Sequence, residues 1–271
     1  MKKILKNIGK IKRFIIGFFL DKTDKLIDIS KISEKILVGK SIKGKDLNCF
    51  KIGNGNKKVL YVSGIHGNEV GTVKLAHKLI NFFNTNISKY IDYTFFIISC
   101  LNIDGYDKAI KNPDYFNGGK VGRFNSNEVD LNRNFPTKTF TQKSIRSFGK
   151  NYSQNVEVFC GKEGNSETET KALTEFIKSS DIKILFVFHN AGKDVLGNST
   201  ELSQKISKLY SEKTGFKLLT QDYWKTLKQT GTAKEWCDEN DITYLEIEGT
   251  TRYGSDWNIQ KNAIIESLKL I

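Results

Sequence analysis

Short apolar runs and helix-patterned stretches alternate along this chain, and that alternation limits it to one broad class of fold. Lys58–Ser63 (KVLYVS), Tyr93–Cys100 (YTFFIISC) and Ile182–Phe188 (IKILFVF) are apolar through their middles. A strand without a polar side has to be covered above and below, in the parallel centre of a sheet with helices on both faces. Glu69–Phe83, Ser166–Ile177, Leu202–Lys213, Thr232–Glu239 and Asp256–Leu270 read as helices. The first places Val70, Val73, Leu75, Leu79, Phe82 and Phe83 on an apolar face, and the second opens with Ser166 and Glu169 at capping-box spacing. Ile242–Glu248 is a further strand. Upstream, Lys35–Val38 and Leu47–Ile52 read as a hairpin turned at Ile42–Asp46, and Gly53–Asn56 turns into the first apolar run. The expected fold is α/β, with a mixed, mostly parallel central sheet and helices on both faces.

With 271 residues and 38% hydrophobic content, the chain suits one large domain, expected over residues 34–271, with residues 1–33 as a basic amphipathic extension. Lys2, Lys3, Lys6, Lys10, Lys12 and Arg13 precede the apolar Phe14–Leu20, and Ile4, Ile8, Ile11, Ile15 and Phe18 recur at helical spacing. The apolar run is too short to span a bilayer. Asp21-Lys22 follows it instead of small residues, which argues against a cleaved signal peptide. A helix of this kind over residues 1–20 suits peripheral membrane contact and packing on the domain equally. The net charge of +13 raises nucleic acid as a partner. All but five of the 43 cations are Lys, however, and no basic-aromatic ladder accompanies them, so no nucleic-acid partner is expected. Cys49, Cys100, Cys160 and Cys237 form no CxxC pair. That argues against a disulfide framework or thiolate metal site and fits a cytoplasmic location.

The five arginines are Arg13, Arg123, Arg133, Arg146 and Arg252, and two of them share the stretch Val121–Phe135 (VGRFNSNEVDLNRNF). Lysine suffices for a solvated surface, whereas gripping a carboxylate or oxyanion through two parallel hydrogen bonds takes a guanidinium. A turn-rich loop would explain the Asn and Asp residues there but not the arginines. His66 and His189 each follow a predicted strand, at the sheet end where open α/β folds bind ligands. Glu69 comes three residues after His66. Imidazole and carboxylate are zinc ligands, and catalytic zinc commonly takes three of them. A core histidine beside a helix-start glutamate would give the same pair; two histidines at one sheet end with Glu69 tilt the reading toward a metal. His77 falls inside a helix pattern and reads as surface or packing. Glu246 and Glu248 lie on one face of the last strand, as a solvated edge or as rivals for a general base beside the metal.

His66–Glu69 (HGNE), Leu101–Gly105 (LNIDG), Arg123, Asp130–Phe135 (DLNRNF), Ser166–Thr170 (SETET), Phe188-His189 and Glu248 run in one order from about Lys40 to the C-terminus. Together they resemble the zinc carboxypeptidase family, which includes the pancreatic carboxypeptidases and the compact bacterial murein peptide amidases, the latter closest in pattern. The resemblance implies one zinc ion on His66, Glu69 and His189, with Glu248 as general base and acid. It implies Arg123 at the oxyanion, and Asn132 and Arg133 on the substrate's terminal carboxylate. Glu248 is preferred to Glu246 because it lies twelve residues after Trp236, the bacterial spacing. Tyr223 is the candidate for the family's substrate-capping tyrosine. Lys234, two residues before Trp236, falls where relatives floor the leaving group's pocket, and a cation there would favour a second carboxylate; as a lysine of the Thr232–Glu239 helix it would equally be a solvated surface charge. Ile103 and Thr168 stand where prolines are usual, and Glu128 where glycine is usual. The implied activity is zinc-dependent hydrolysis of an amide beside a free carboxylate, in a small peptide or a murein peptide. The alternatives are an N-acyl amino acid deacylase of the aspartoacylase or succinylglutamate desuccinylase type, and an inactive binding module with the same fold.

Overall fold

The computed structural model describes residues 34–112 and 121–271, so the amphipathic helix expected over residues 1–20 lies outside the described residues. In chain order the elements are β1 (Glu34–Lys40), β2 (Asp46–Ile52), β3 (Lys57–Val62), α1 (Val70–Asn86), β4 (Tyr93–Ile98), α2 (Ile103–Ile110), β5 (Lys143–Phe148), β6 (Gln154–Phe159), α3 (Thr168–Ser179), β7 (Ile184–Asn190), β8 (Asp194–Gly197), α4 (Glu201–Thr214), β9 (Lys217–Leu219), α5 (Gln221–Thr226), α6 (Ala233–Glu239), β10 (Thr243–Gly249) and α7 (Trp257–Leu268). Eight strands make one sheet in the order β1-β2-β4-β3-β7-β10-β8-β9, and β5 and β6 pair separately as a hairpin. The central pairs β4-β3, β3-β7 and β7-β10 are parallel, while β1-β2, β2-β4 and β10-β8 are antiparallel. No described helix is long and apolar enough to cross a membrane.

The central strands are apolar on both faces because both are covered. From β3, Val59 and Tyr61 enter one core while Leu60 and Val62 enter the other. From β7, Ile184, Phe186 and Phe188 face the first, and Leu185 and Val187 the second. The first core is closed by α1, α4 and α7 through Leu79, Phe83, Tyr210 and Ile264, and the second by α3 and α6 through Leu173, Ile177 and Trp236. Fully burying one such side chain stabilises by about 1.5–3 kcal/mol.

Several elements differ from the sequence reading. The capping box expected from Ser166 and Glu169 does not form: the N-cap of α3 is Glu167, with no side-chain cap bond. The Glu169 carboxylate instead accepts the Ile42 N–H and the Asn125 amide, both at 3.4 Å. A capping box does form on α6, between Thr232 and Glu235. The β5–β6 hairpin was not expected, because KSIRSF and QNVEVF are too polar to read as buried strands and most of β6 is exposed.

Candidate metal centre and substrate cleft

His66 stands four residues beyond β3, and His189 is the next-to-last residue of β7. These strands lie side by side with Val62 opposite Val187, so both imidazoles arrive at the same carboxyl edge of the sheet, where open α/β folds bind ligands. Glu69 directly precedes α1, and its N–H bonds to the His66 carbonyl at 3.1 Å. The turn between them is possible only with glycine. A Cβ on Gly67 would lie 2.2 Å from the Tyr106 nitrogen and 2.7 Å from the Gly122 oxygen, and one on Gly105 would meet that same oxygen at 2.5 Å. The glycines of HGNE, LNIDG and VGR thus interlock and bring three distant stretches of sequence to one point.

Three donor groups converge there. His66 Nδ1 is 3.1 Å from Glu69 Oε1, His189 Nδ1 is 3.1 Å from Glu69 Oε2, and the two Nδ1 atoms are 3.1 Å apart. All three side chains are buried, and they are the one group of this kind among the described residues. Two imidazole nitrogens and a carboxylate aimed at one buried point fit a cation, and two His with one Glu is a ligand set of catalytic zinc sites. Asp130 backs it: Oδ1 lies 3.1 Å from His66 Nε2, and Oδ2 accepts from Arg123 Nη2 at 3.1 Å. A carboxylate behind a metal-binding imidazole fixes its orientation; the sequence reading assigned Asp130 no role. Burial would raise the Asp130 carboxyl, but Arg123 and His66 hold it well below the usual range. Burial would likewise raise Glu69, and the two histidines reverse the sign. His189 would be lowered by burial, yet the hydrogen bond and charge of Glu69 raise it to about 9.

Glu248 stands opposite His189 in the parallel β10–β7 register. Burial, and then repulsion from Glu69, push its carboxyl up to about 8, and its Oε2 accepts the Gly192 N–H at 3.1 Å. Glu246, one pleat back on the same face, accepts the Tyr244 hydroxyl at 2.7 Å. Arg123 Nε is buried with no hydrogen-bond partner among the described residues. Asn132 is anchored by the Ala233 N–H at 3.1 Å, with its amide nitrogen 3.5 Å from His189 Nε2. Arg133 donates to the Ile145 and Asn132 carbonyls and to Gln229 Oε1.

Apart from Asp130, which lies behind them, these side chains line a cleft of about 460 Å³, within the range that holds small ligands. Asp194, Tyr152, Arg146 and Gln229 also line it, and none of them was singled out from the sequence. Two expected residues lie elsewhere. Lys234 is outside the lining, its ammonium 2.8 Å from Asp238 one helical turn on; an i,i+4 partner on its own helix satisfies the charge that the sequence reading gave to a substrate. Tyr223 is also outside the lining and donates its hydroxyl to the Asn151 carbonyl at 2.9 Å. The tyrosine in the cleft is Tyr152, bonded to Asp194 Oδ2 at 2.8 Å.

The three motif departures have local explanations. Ile103 and Thr168 are the first residues of α2 and α3, the position where proline's missing N–H is harmless and other residues serve as well. Glu128 has φ +58°, the left-handed region in which glycine carries no Cβ penalty. Asn134 ties the arginine-bearing loop to α3. Its amide nitrogen donates to Cys160 O at 2.6 Å and Glu163 O at 3.0 Å, and its oxygen accepts the Glu167 N–H at 3.1 Å and the Thr170 hydroxyl. Asn134→Ala leaves several of these buried groups unpaired, at about 1–3 kcal/mol each. Chemical denaturation of the variant is expected to show a loss of roughly 2–5 kcal/mol; a loss below about 0.5 kcal/mol would refute this role.

Comparison with known proteins gives a consistent result. The family model for zinc carboxypeptidases (Peptidase_M14) matches residues 20–268, reaching back into the segment expected to be an extension. The chain is 31% identical over 158 residues to the carboxypeptidase N catalytic chain of Mus musculus, covering 52% of this chain and 34% of that one. It is 28% identical over 181 residues to carboxypeptidase B2 of Rattus norvegicus, covering 60% and 41%. The chain thus matches well under half the length of these relatives. Among solved structures, murein-tripeptide amidase MpaA from Escherichia coli O157 superposes with a TM-score of 0.65 at 20% identity, over 87% of this chain and 91% of that one. Bovine thrombin-activatable fibrinolysis inhibitor, in complex with tick carboxypeptidase inhibitor, superposes with a TM-score of 0.71 at 17% identity, over 91% and 96%.

Proposed function

Because the chain belongs to the zinc carboxypeptidase family, we propose that it hydrolyses the amide bond next to a free carboxylate in a small peptide, with murein peptides as the leading substrate class. The observation that carries this reading is one cleft holding the His66–Glu69–His189 cluster, a carboxylate in register with it, and arginines around them. A zinc ion on the three ligands supplies Lewis acidity, making water more acidic and a carbonyl more electrophilic.

The protein's own groups do the rest. Asn132 and Arg133 hold the terminal carboxylate, so the scissile carbonyl arrives at attack distance. Glu248 takes the proton of the attacking water on its carboxylate and returns it to the leaving nitrogen. Its raised proton affinity suits a group that must both accept and release a proton near neutral pH. Arg123, fixed by Asp130, donates to the oxygen that gains charge. The reading as a binding module that has lost its chemistry is disfavoured, because ligands, base and oxyanion donor are all present in one place.

The test is a hydrolysis panel with zinc-loaded protein: diaminopimelate-containing cell-wall peptides, ordinary C-terminal dipeptides and N-acyl amino acids, each also with its terminal carboxylate amidated. Amidation is expected to lower kcat/KM by about 10- to 150-fold, the scale of a lost charge-assisted hydrogen bond, and a chelator should stop turnover. Turnover indifferent to amidation, or none on any member, would overturn the reading.

A further inference from the structure

Four of the chain's five arginines line the cleft, and Arg146 differs from its neighbours. Arg123 is tied to Asp130 and Glu69. Arg133 gives three of its five N–H groups to the protein, which leaves two for a substrate carboxylate. Arg146, on β5, is only 7% exposed, yet none of its guanidinium N–H groups meets an acceptor among the described residues. It contacts the Phe148 ring, with Cζ 5.0 Å from the centroid, which neutralises no charge. Burial and the nearby charge of Arg123 lower its pKa to about 10, so it remains a cation near neutral pH. A buried cation without a partner is costly to keep, and the side open to it is the cleft.

We propose that Arg146 receives a second substrate carboxylate, distinct from the one held by Asn132 and Arg133. The inference rests on the hydrolase reading above and deepens it: the substrate class is a peptide with an additional carboxylate beside the scissile amide. The planar fork of five donors suits a carboxylate taken through two parallel hydrogen bonds. The Arg133 Nε–H bonds to the carbonyl of Ile145, one residue before Arg146, so the two guanidinium groups are held by adjoining segments and can serve one substrate at two points. The extra carboxylate can come from the acyl residue, as in a γ-glutamyl peptide, or from the side chain of the leaving residue.

N-acetyl-alanyl-γ-glutamyl-glutamate carries both. Matched peptides with the γ-glutamyl α-carboxylate amidated, or with the side-chain carboxylate of the last glutamate amidated, separate the sources. On zinc-loaded wild type, one of the two amides is expected to lower kcat/KM by about 10- to 150-fold, and which one does so names the source. In Arg146→Met that carboxylate-to-amide ratio is expected to fall to near one, and Arg146→Lys to keep part of it. Calorimetric titration of zinc-loaded Glu248→Gln, alone and combined with Arg146→Met, reads the same preference as a ratio of Kd values without turnover. Peptides bound with preference but not hydrolysed by wild type would overturn the hydrolase reading alone. Indifference of wild type to both amidations, or an unchanged ratio in Arg146→Met and Arg146→Lys, would overturn the role of Arg146 and leave the hydrolase reading intact.

Discussion

His189→Ala is expected to lose stoichiometric zinc and all measurable hydrolysis while keeping its sheet. The three ligands are mutually dependent, because His189 Nδ1 lies 3.1 Å from both His66 Nδ1 and Glu69 Oε2. Changing outer-sphere partners of a metal typically costs 10–100-fold in affinity; removing a direct ligand should cost at least about 10²-fold. The fold should survive, since the core contribution of β7 comes from Ile184, Leu185, Phe186, Val187 and Phe188, upstream of the histidine. A thermal readout makes the two effects separable. Zinc at about 100 times its Kd stabilises the wild type by about 2.7 kcal/mol, a rise in Tm of roughly 5–10 °C for a domain of this size. That rise should be absent in His189→Ala, while its far-ultraviolet circular dichroism matches the metal-free wild type. Full zinc occupancy of the variant, measured by elemental analysis after dialysis, would remove His189 from the ligand set.

How much of this was legible in the sequence depended on what each residue has to satisfy. Strands β3, β4 and β7 were readable because burial on both faces leaves a continuous apolar run, and the histidines were readable because they follow such runs. The β5–β6 hairpin was not, since β5 is polar although half-buried and β6 is largely exposed, so neither leaves an apolar run. Arg146 travelled with it unnoticed. A signal for it did exist: in a chain that uses lysine almost everywhere, all four arginines among the described residues line the cleft. Lys234 is the opposite case, a residue for which pocket and helix surface stood equally open. Its spacing to Asp238 on a helix already offered the ion pair that the structure contains, and local satisfaction of that charge outweighed the role inferred from family position. Asp130 was hidden for a third reason. Orientation of an imidazole by a carboxylate 64 residues away is a property of the assembled turn, created by the glycine contacts and invisible in spacing alone.

Glu248→Gln is expected to bind zinc and peptide about as well as wild type and to lose turnover by about 10²–10⁴-fold, the scale of a missing general acid–base group. The replacement keeps the shape, and its amide oxygen can still accept the Gly192 N–H that the carboxylate takes at 3.1 Å. What it cannot do is take the proton. Glu246 is the rival, and geometry separates the two. Glu248 is level with His189 in the β10–β7 register and partly open to the cleft, whereas Glu246 sits two residues further back, about 6.6 Å along the strand. Proton transfer needs contact at about 2.6–3.2 Å or one intervening water. The Glu246 carboxylate already accepts from the buried Tyr244 hydroxyl at 2.7 Å, so Glu246→Gln should cost about 1 kcal/mol of stability and spare most of kcat. Steady-state kinetics on both variants, with zinc content checked in each, decides between them. An inactive Glu246→Gln beside an active Glu248→Gln would move the base one pleat down the strand.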